Sequence, residues 1–351
     1  MKKHSIQQLL SFFLLALTLG VVLYIGLNGS DLAELIEALK RLSPLYLLIC
    51  LACWLIYVLL DALVIHHFLF IQNVPIRLWQ SIHSAIVGIY YCNITPGASG
   101  GQPMEMYCLN KYGVPVGISG SAMAVKFVVF QVVLLVTGAL LWLTHGEFVA
   151  AYAGGSTWFV VLGYVANFFT IGIVIGMAVS QRAVRWVIDR CIRLGIRLRI
   201  CRDTQTSREK WENHCQSFLA SFQLVASKPV DLFIQCLIAF VQLMSLMGVI
   251  IAVYLALGLE GVSYAELITM GVLLYIGASY VPLPGASGAQ EGGFAVMFRY
   301  IFPEANCFVA LLIWRFCTYY ASVLTGAVVT TVENVIDLDR REKQHLPKGE
   351  N

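Results

Sequence analysis

The 351-residue sequence is 59% apolar and only 12% charged, with a net charge of +3 and a mean hydropathy of +0.77. That charged share is about half of what an average soluble domain carries, which excludes a water-soluble globule. Apolar stretches long enough to span a bilayer recur along the whole length, so residues 1–351 read as a single transmembrane domain of all-α class, with no stretch left over for the core of a soluble catalytic domain.

Taken in chain order, the first apolar run extends from Leu9 to Leu27 behind Lys2 and Lys3. It is nearer a full span than a signal core, and no small-x-small site precedes Asn28, so residues 9–28 read as a span and not as a cleaved leader. A charged amphipathic segment, 31–42, leads to Pro44 and a second span, 44–71. Cys50 and Cys53 lie in its middle, where they read as small packing residues rather than a redox pair. The remaining cysteines are scattered singly, and no metal-ligand spacing appears. The next apolar region, 78–112, is interrupted by Pro96-Gly97, a dipeptide that removes a backbone donor and ends a helix. Spans 116–144 and 157–180 follow, then a basic stretch over 181–213 that reads as a loop. A second amphipathic segment, about 209–226, precedes Pro229 and the span 230–257. Region 264–301 is broken by Pro284-Gly285, and a last span, 304–332, is followed by a tail, 333–351.

Lysine and arginine counts set the expected orientation. Arg182, Arg185, Arg190, Arg193, Arg197, Arg199, Arg202, Arg208 and Lys210 mark the 181–213 loop as cytoplasmic; Lys2 and Lys3, and Arg340, Arg341, Lys343 and Lys348, place both termini there too. Residues 145–156 carry neither Lys nor Arg and read as an outside loop. With six full spans so placed, region 78–112 must begin and end inside and region 264–301 must begin and end outside. The expectation is two re-entrant helical hairpins entering from opposite faces.

A shift of 188 positions (284 − 96) superposes Pro96-Gly97-Ala98-Ser99-Gly100 on Pro284-Gly285-Ala286-Ser287-Gly288. At the same shift Pro115 meets Pro303, Ala122 meets Ala310, and Thr137-Gly138 meets Thr325-Gly326, without a gap. Residues 31–144 and 209–332 are thus two copies of one unit, and their opposed entry makes an inverted-topology repeat, a signature of transporters. Broken helices at bilayer depth need protein or a water-filled cavity to satisfy their freed backbone groups; rigid packing by small residues is the structural alternative.

The candidate substrate path follows from those breaks. Pro96, Gly97 and Gly100, and Pro284, Gly285 and Gly288, shape loops that can present N–H groups to an anion. Ser99, Gln102, Ser287 and Gln290 can add neutral hydrogen bonds, with helix N-capping as the other reading of the serines. Glu105, Lys126, Glu291 and Arg315 lie in corresponding elements of the two copies, and each charge at bilayer depth costs at least ~2.5 kcal/mol without a partner or an aqueous path. A mixed cluster of two acids and two bases suits a phosphate-bearing or zwitterionic headgroup; ion pairing that only holds the copies together is the alternative. Asp61 needs a partner on a neighbouring helix, Arg299 is placed to snorkel to headgroups, and His66, His67 and His83 read as solvated residues near a membrane boundary. The basic loop suits contact with anionic lipid, and the reading surface that nucleic acid needs is missing.

Thr95-Pro-Gly-x-x-Gly-Gly-x-Pro, Pro284-Gly-x-x-Gly-x-x-Glu291-Gly-Gly and Arg315 together resemble the flippase-like transmembrane domain of the lysylphosphatidylglycerol synthase/flippase family, which includes the MprF membrane region and stand-alone YbhN-like proteins. The sequence departs from that family's pattern at Gln102, where an acid is usual; Glu105 lies nearby. The resemblance implies the translocating half without the aminoacyl-transferase half: a lipid flippase of a bacterial inner membrane, not an enzyme, with anionic or aminoacylated phospholipids as partners and no cofactor. Self-association is left open by the sequence. A membrane-embedded enzyme using Glu105 or Glu291 as acid or base, and a non-transporting scaffold, are the competing expectations. With no Gly-x-x-x-x-Gly-Lys-Ser/Thr loop present, a transporter of this kind would draw on gradients or membrane potential.

Overall fold

The computed structural model describes residues 42–180, 205–302 and 304–345, with isolated positions 20, 40, 182, 186 and 190. The expected span 9–28, most of segment 31–42, most of the basic loop and the end of the tail lie outside the described residues. Within them every regular element is helical and no strand occurs.

The long helices begin where the sequence supplies a starting signal. Helix α1, Pro44–Ile71, and helix α8, Pro229–Ala256, each open on a proline whose missing N–H costs nothing in the first turn. Between them come α2, Leu78–Ile94; α3, Gly101–Lys111; α4, Val116–Thr144; the short α5, Gly146–Tyr152; α6, Thr157–Val179; and α7, Gln205–Ala226. After α8 come α9, Tyr264–Ala278, which starts on a reciprocal Ser263–Glu266 cap, and α10, Ala289–Met297. Helix α11, Glu304–Arg315, passes through a π-helical turn, Phe316–Tyr320, into α12, Ala321–His345.

Five of these helical stretches among the described residues are long and apolar enough to cross a membrane: Pro44–Ile71, Val116–Thr144, Thr157–Met177, Pro229–Ala256 and Asn306–Ile336, the last running through the π turn. They coincide with five of the six expected spans. Large apolar side chains such as Leu48, Phe70, Leu143, Phe169 and Phe233 are exposed along them, a surface suited to lipid and not to water. Two polar segments are more ordered than expected. The end of the 181–213 stretch is already helix from Gln205, and the tail beyond residue 332 continues as helix to His345. Neither piece contains Pro or Gly, so nothing in it stops a helix from propagating.

The most extensive packing is α1 against α8. Cys50 is fully buried there and its thiol reaches the Val249 carbonyl at 3.8 Å, while Ser245 Oγ donates to the Cys53 carbonyl at 2.6 Å. A β-carbon on Gly248 would come 3.0 Å from Cys53 Sγ. Both cysteines are free thiols filling a close crossing. Helices α2 and α3 pack on each other, α12 lies along α2, α7 along α4, and α9 along α6.

Candidate functional site

Each Pro-Gly break forms one tight turn with the same backbone. Thr95 and Leu283 are extended, as a residue before proline tends to be, with φ/ψ of −111°/146° and −114°/149°. Gly97 and Gly285 both take φ +58°, and the next residues, Ala98 and Ala286, take φ +55° and +50°. Glycine adopts that left-handed region freely, but alanine does so at a cost of about 1–2 kcal/mol. The same strain therefore sits at the same repeat position in both copies.

Beyond the alanines the copies part. Ser99 turns helical, whereas Ser287 stays extended and Gly288 takes φ +86°. The cause lies in two exchanged residues. In the first copy Thr95 Oγ1 accepts the Gly100 N–H at 2.9 Å and donates to the Tyr91 carbonyl at 2.5 Å. The second copy has Leu283 in that place, and the Gly288 N–H instead donates to Glu291 Oε2 at 2.6 Å; the first copy has Pro103 where Glu291 stands. Neither serine caps the following helix, contrary to the capping reading, because Gly100 and Gly288 occupy the cap positions. Ser287 Oγ donates to the Pro284 carbonyl at 2.8 Å.

The two turns pack against each other, and α2 also touches the second turn. They differ in exposure: Pro96, Gly97, Ser99 and Gln102 are exposed, whereas Pro284, Ser287 and Gln290 are buried and Gly288 is exposed. Gln290 Oε1 is buried with no hydrogen-bond partner among the described residues. Close packing brackets the first turn, since a β-carbon on Gly101 would lie 2.0 Å from Cys92 Sγ and 2.8 Å from the Gly88 carbonyl.

The four expected charges do not form one cluster. Lys126, on α4, contacts Asp61 Oδ2 of α1 at 2.5 Å and Glu105 Oε1 of α3 at 2.8 Å. Asp61 Oδ1 accepts from Gln242 Nε2 of α8 at 3.0 Å. Glu105 fits because Gly88 opposite it lacks a side chain; a β-carbon there would come 3.0 Å from its carboxyl carbon. The second network is separate. Arg315 Nε donates to Glu291 Oε1 at 2.7 Å, and its Nη2 donates to the Gly285 carbonyl and Ser287 Oγ, both at 3.2 Å. Its guanidinium also lies 4.6 Å from the centroid of the Tyr319 ring. Tyr319 in turn covers Gly285, where a β-carbon would meet the ring at 2.2 Å. The π turn that begins just after Arg315 widens the helix at this place, and such turns recur at functional sites.

Two acids and two bases thus become a Lys126 network with two carboxylates and an Arg315–Glu291 pair that grips the second turn's backbone. Asp61 has the partner on a neighbouring helix that its charge called for, Lys126, and Gln242, a polar residue in an apolar span that the sequence reading missed, completes its contacts. Arg299 is exposed beside the Tyr300 ring, at 5.8 Å, as a headgroup-facing arginine would be. The histidines have partners beyond solvent: His67 lies 3.6 Å from Asp231, and His83 contacts Tyr112 and Glu333.

The model of the lysylphosphatidylglycerol synthase transmembrane region matches residues 8–326, which takes in both turns and both charge networks. The chain belongs to this family. As a member of the lysylphosphatidylglycerol synthase transmembrane-region family it is also similar to a UPF0104 membrane protein of Archaeoglobus fulgidus, 22% identical over 305 residues that cover 83% of this chain and 88% of that protein. Every candidate path residue, from Pro96 to Arg315, falls inside the family match, as do Asp61 and Gln242.

Proposed function

We propose that this family member moves a polar lipid, phospho- or aminoacylated, between the leaflets of a bacterial inner membrane, the headgroup passing between the two Pro-Gly turns while the tails stay in the bilayer. The observation that carries the reading is the meeting of the turns. Two helix breaks with matching left-handed backbones touch one another, one tip exposed and one held by a buried arginine. On this reading α2–α3 and α9–α10 are re-entrant hairpins of an inverted repeat, and the exposed tip of the first lines an aqueous path, since backbone that protein does not cover is tolerated at bilayer depth only where water reaches it. Strained backbone persists where the surroundings enforce it, and it concentrates at ligand clamps and switches.

On this reading Arg315 is the residue that receives the phosphate. It already makes three hydrogen bonds, and a headgroup oxygen could replace the weaker ones to Gly285 and Ser287 while the bond to Glu291 persists. Rocking one copy against the other would open the turns to each leaflet alternately. We read the chain as a transporter and not an enzyme, because the acids nearest the turns are engaged by cations and, among the described residues, no nucleophile–base–orienter set accompanies them.

The test is leaflet exchange in reconstituted vesicles, with headgroup-labelled anionic, zwitterionic and aminoacylated lipids. Exchange faster than in protein-free vesicles for at least one class, lost in Arg315→Leu, is expected; no acceleration for any class counts against the reading. The internal pairing of all four charges favours a second reading, a non-transporting scaffold. Retained cellular function in a folded Glu291→Ala/Arg315→Ala variant would support it.

A further inference from the structure

His83 of α2, Cys108 of α3 and Glu333 of α12 stand far apart in sequence, yet their ligating atoms lie within 4.8 Å of one another. They line a cavity of about 490 Å³ whose other walls include Trp79, Val328 and Val332. We propose that these three side chains form a zinc site joining the first hairpin to the last helix.

One contact length fits a bridging cation. His83 Nε2 is 3.4 Å from Glu333 Oε2, longer than the ~2.7–2.9 Å of a charge-assisted hydrogen bond. Two ligands bound about 2.0–2.1 Å from a tetrahedral zinc stand about 3.3–3.4 Å apart, the spacing of the His83 and Glu333 atoms, and the Cys108 thiol, within 4.8 Å of both, would close in on binding. The surrounding groups orient the ligands. Tyr112 Oη lies 3.1 Å from His83 Nδ1; when it accepts the Nδ1 proton, the Nε2 lone pair faces the cluster. Lys111 Nζ takes the other carboxylate oxygen of Glu333 at 2.7 Å, leaving Oε2 for the metal. Cys108 is 1% exposed, and a coordinated thiol gives up its proton to become a thiolate. A nitrogen, a sulfur and an oxygen from three residues leave a fourth position facing the cavity, the donor set of an open zinc site, and the thiolate disfavours magnesium and calcium. The sequence reading found no metal-ligand spacing because only the packing of α2, α3 and α12 creates one.

The experiment uses the full chain in detergent, purified through a tag without histidine and stripped with a chelator, with zinc and cobalt salts as probes. Elemental analysis after gel filtration should find one zinc per chain, and cobalt should give a near-ultraviolet thiolate charge-transfer band. That band should survive replacement of the nine other cysteines (10 − 1). His83→Ala and Cys108→Ser should each abolish retention, and Tyr112→Phe should weaken binding about tenfold. No retained zinc, equal retention in a His83→Ala/Cys108→Ser variant, or a wild-type cobalt spectrum without the thiolate band overturns the proposal. The cobalt spectrum needs no variant, so misfolding of one cannot obscure the result. None of these readouts depends on lipid movement, so the site stands or falls apart from the proposed function.

Discussion

Arg315 and Lys126 are both buried cations, but they are held differently. Arg315 shares one carboxylate and two neutral oxygens, whereas Lys126 balances two carboxylates. Arg315→Met should destabilise by about 3–5 kcal/mol, because Glu291 is left as an unpaired buried charge. Adding Glu291→Gln should recover part of that loss, a coupling that thermal unfolding in detergent would measure as a double-mutant cycle. Lys126→Met should lower the unfolding temperature more than Asp61→Asn does, since it leaves two buried acids without a cation, whereas Asp61→Asn leaves Lys126 paired with Glu105. The sequence marked these residues as costly without naming their partners. Helix α1 is apolar around its whole circumference, so its pattern does not say which way Asp61 points, and only packing against α4 and α8 supplies Lys126 and Gln242.

At the scale of elements, each of the helix pairs α2–α3 and α9–α10 depends on a turn that proline and glycine dictate and on helices close enough to meet. Gly101→Ala should cost about 1–3 kcal/mol, as its new methyl would collide with Cys92 and with the Gly88 carbonyl. Ala98→Gly and Ala286→Gly, ordinarily destabilising changes, should leave unfolding temperatures equal or higher, because each releases a left-handed alanine. Breaks, helix starts and spans were legible because they rest on local chemistry: a proline at the start of a helix, a Pro-Gly that ends one, an apolar run of bilayer length. The divergence after Ala98 and Ala286 was less so, although the Thr95/Leu283 and Pro103/Glu291 exchanges that cause it stand in the sequence. Reading them required knowing that each side chain accepts the N–H of the glycine at the same repeat position, Gly100 for Thr95 and Gly288 for Glu291.

For the whole molecule, the proposal requires the two hairpins to enter from opposite sides. Single cysteines at Gly113 and Glu260, in a background without native cysteines, should react with an impermeant thiol reagent from opposite faces of oriented vesicles; labelling of both from one face would remove the inverted repeat. The central claim is that a headgroup passes between the turns, and its most direct test is to close that passage. Cysteines placed in the 96–98 and 284–286 turns should cross-link, given that the turns touch, and leaflet exchange should then stop and return on reduction. Exchange that continues undiminished through a fully cross-linked protein would contradict the account.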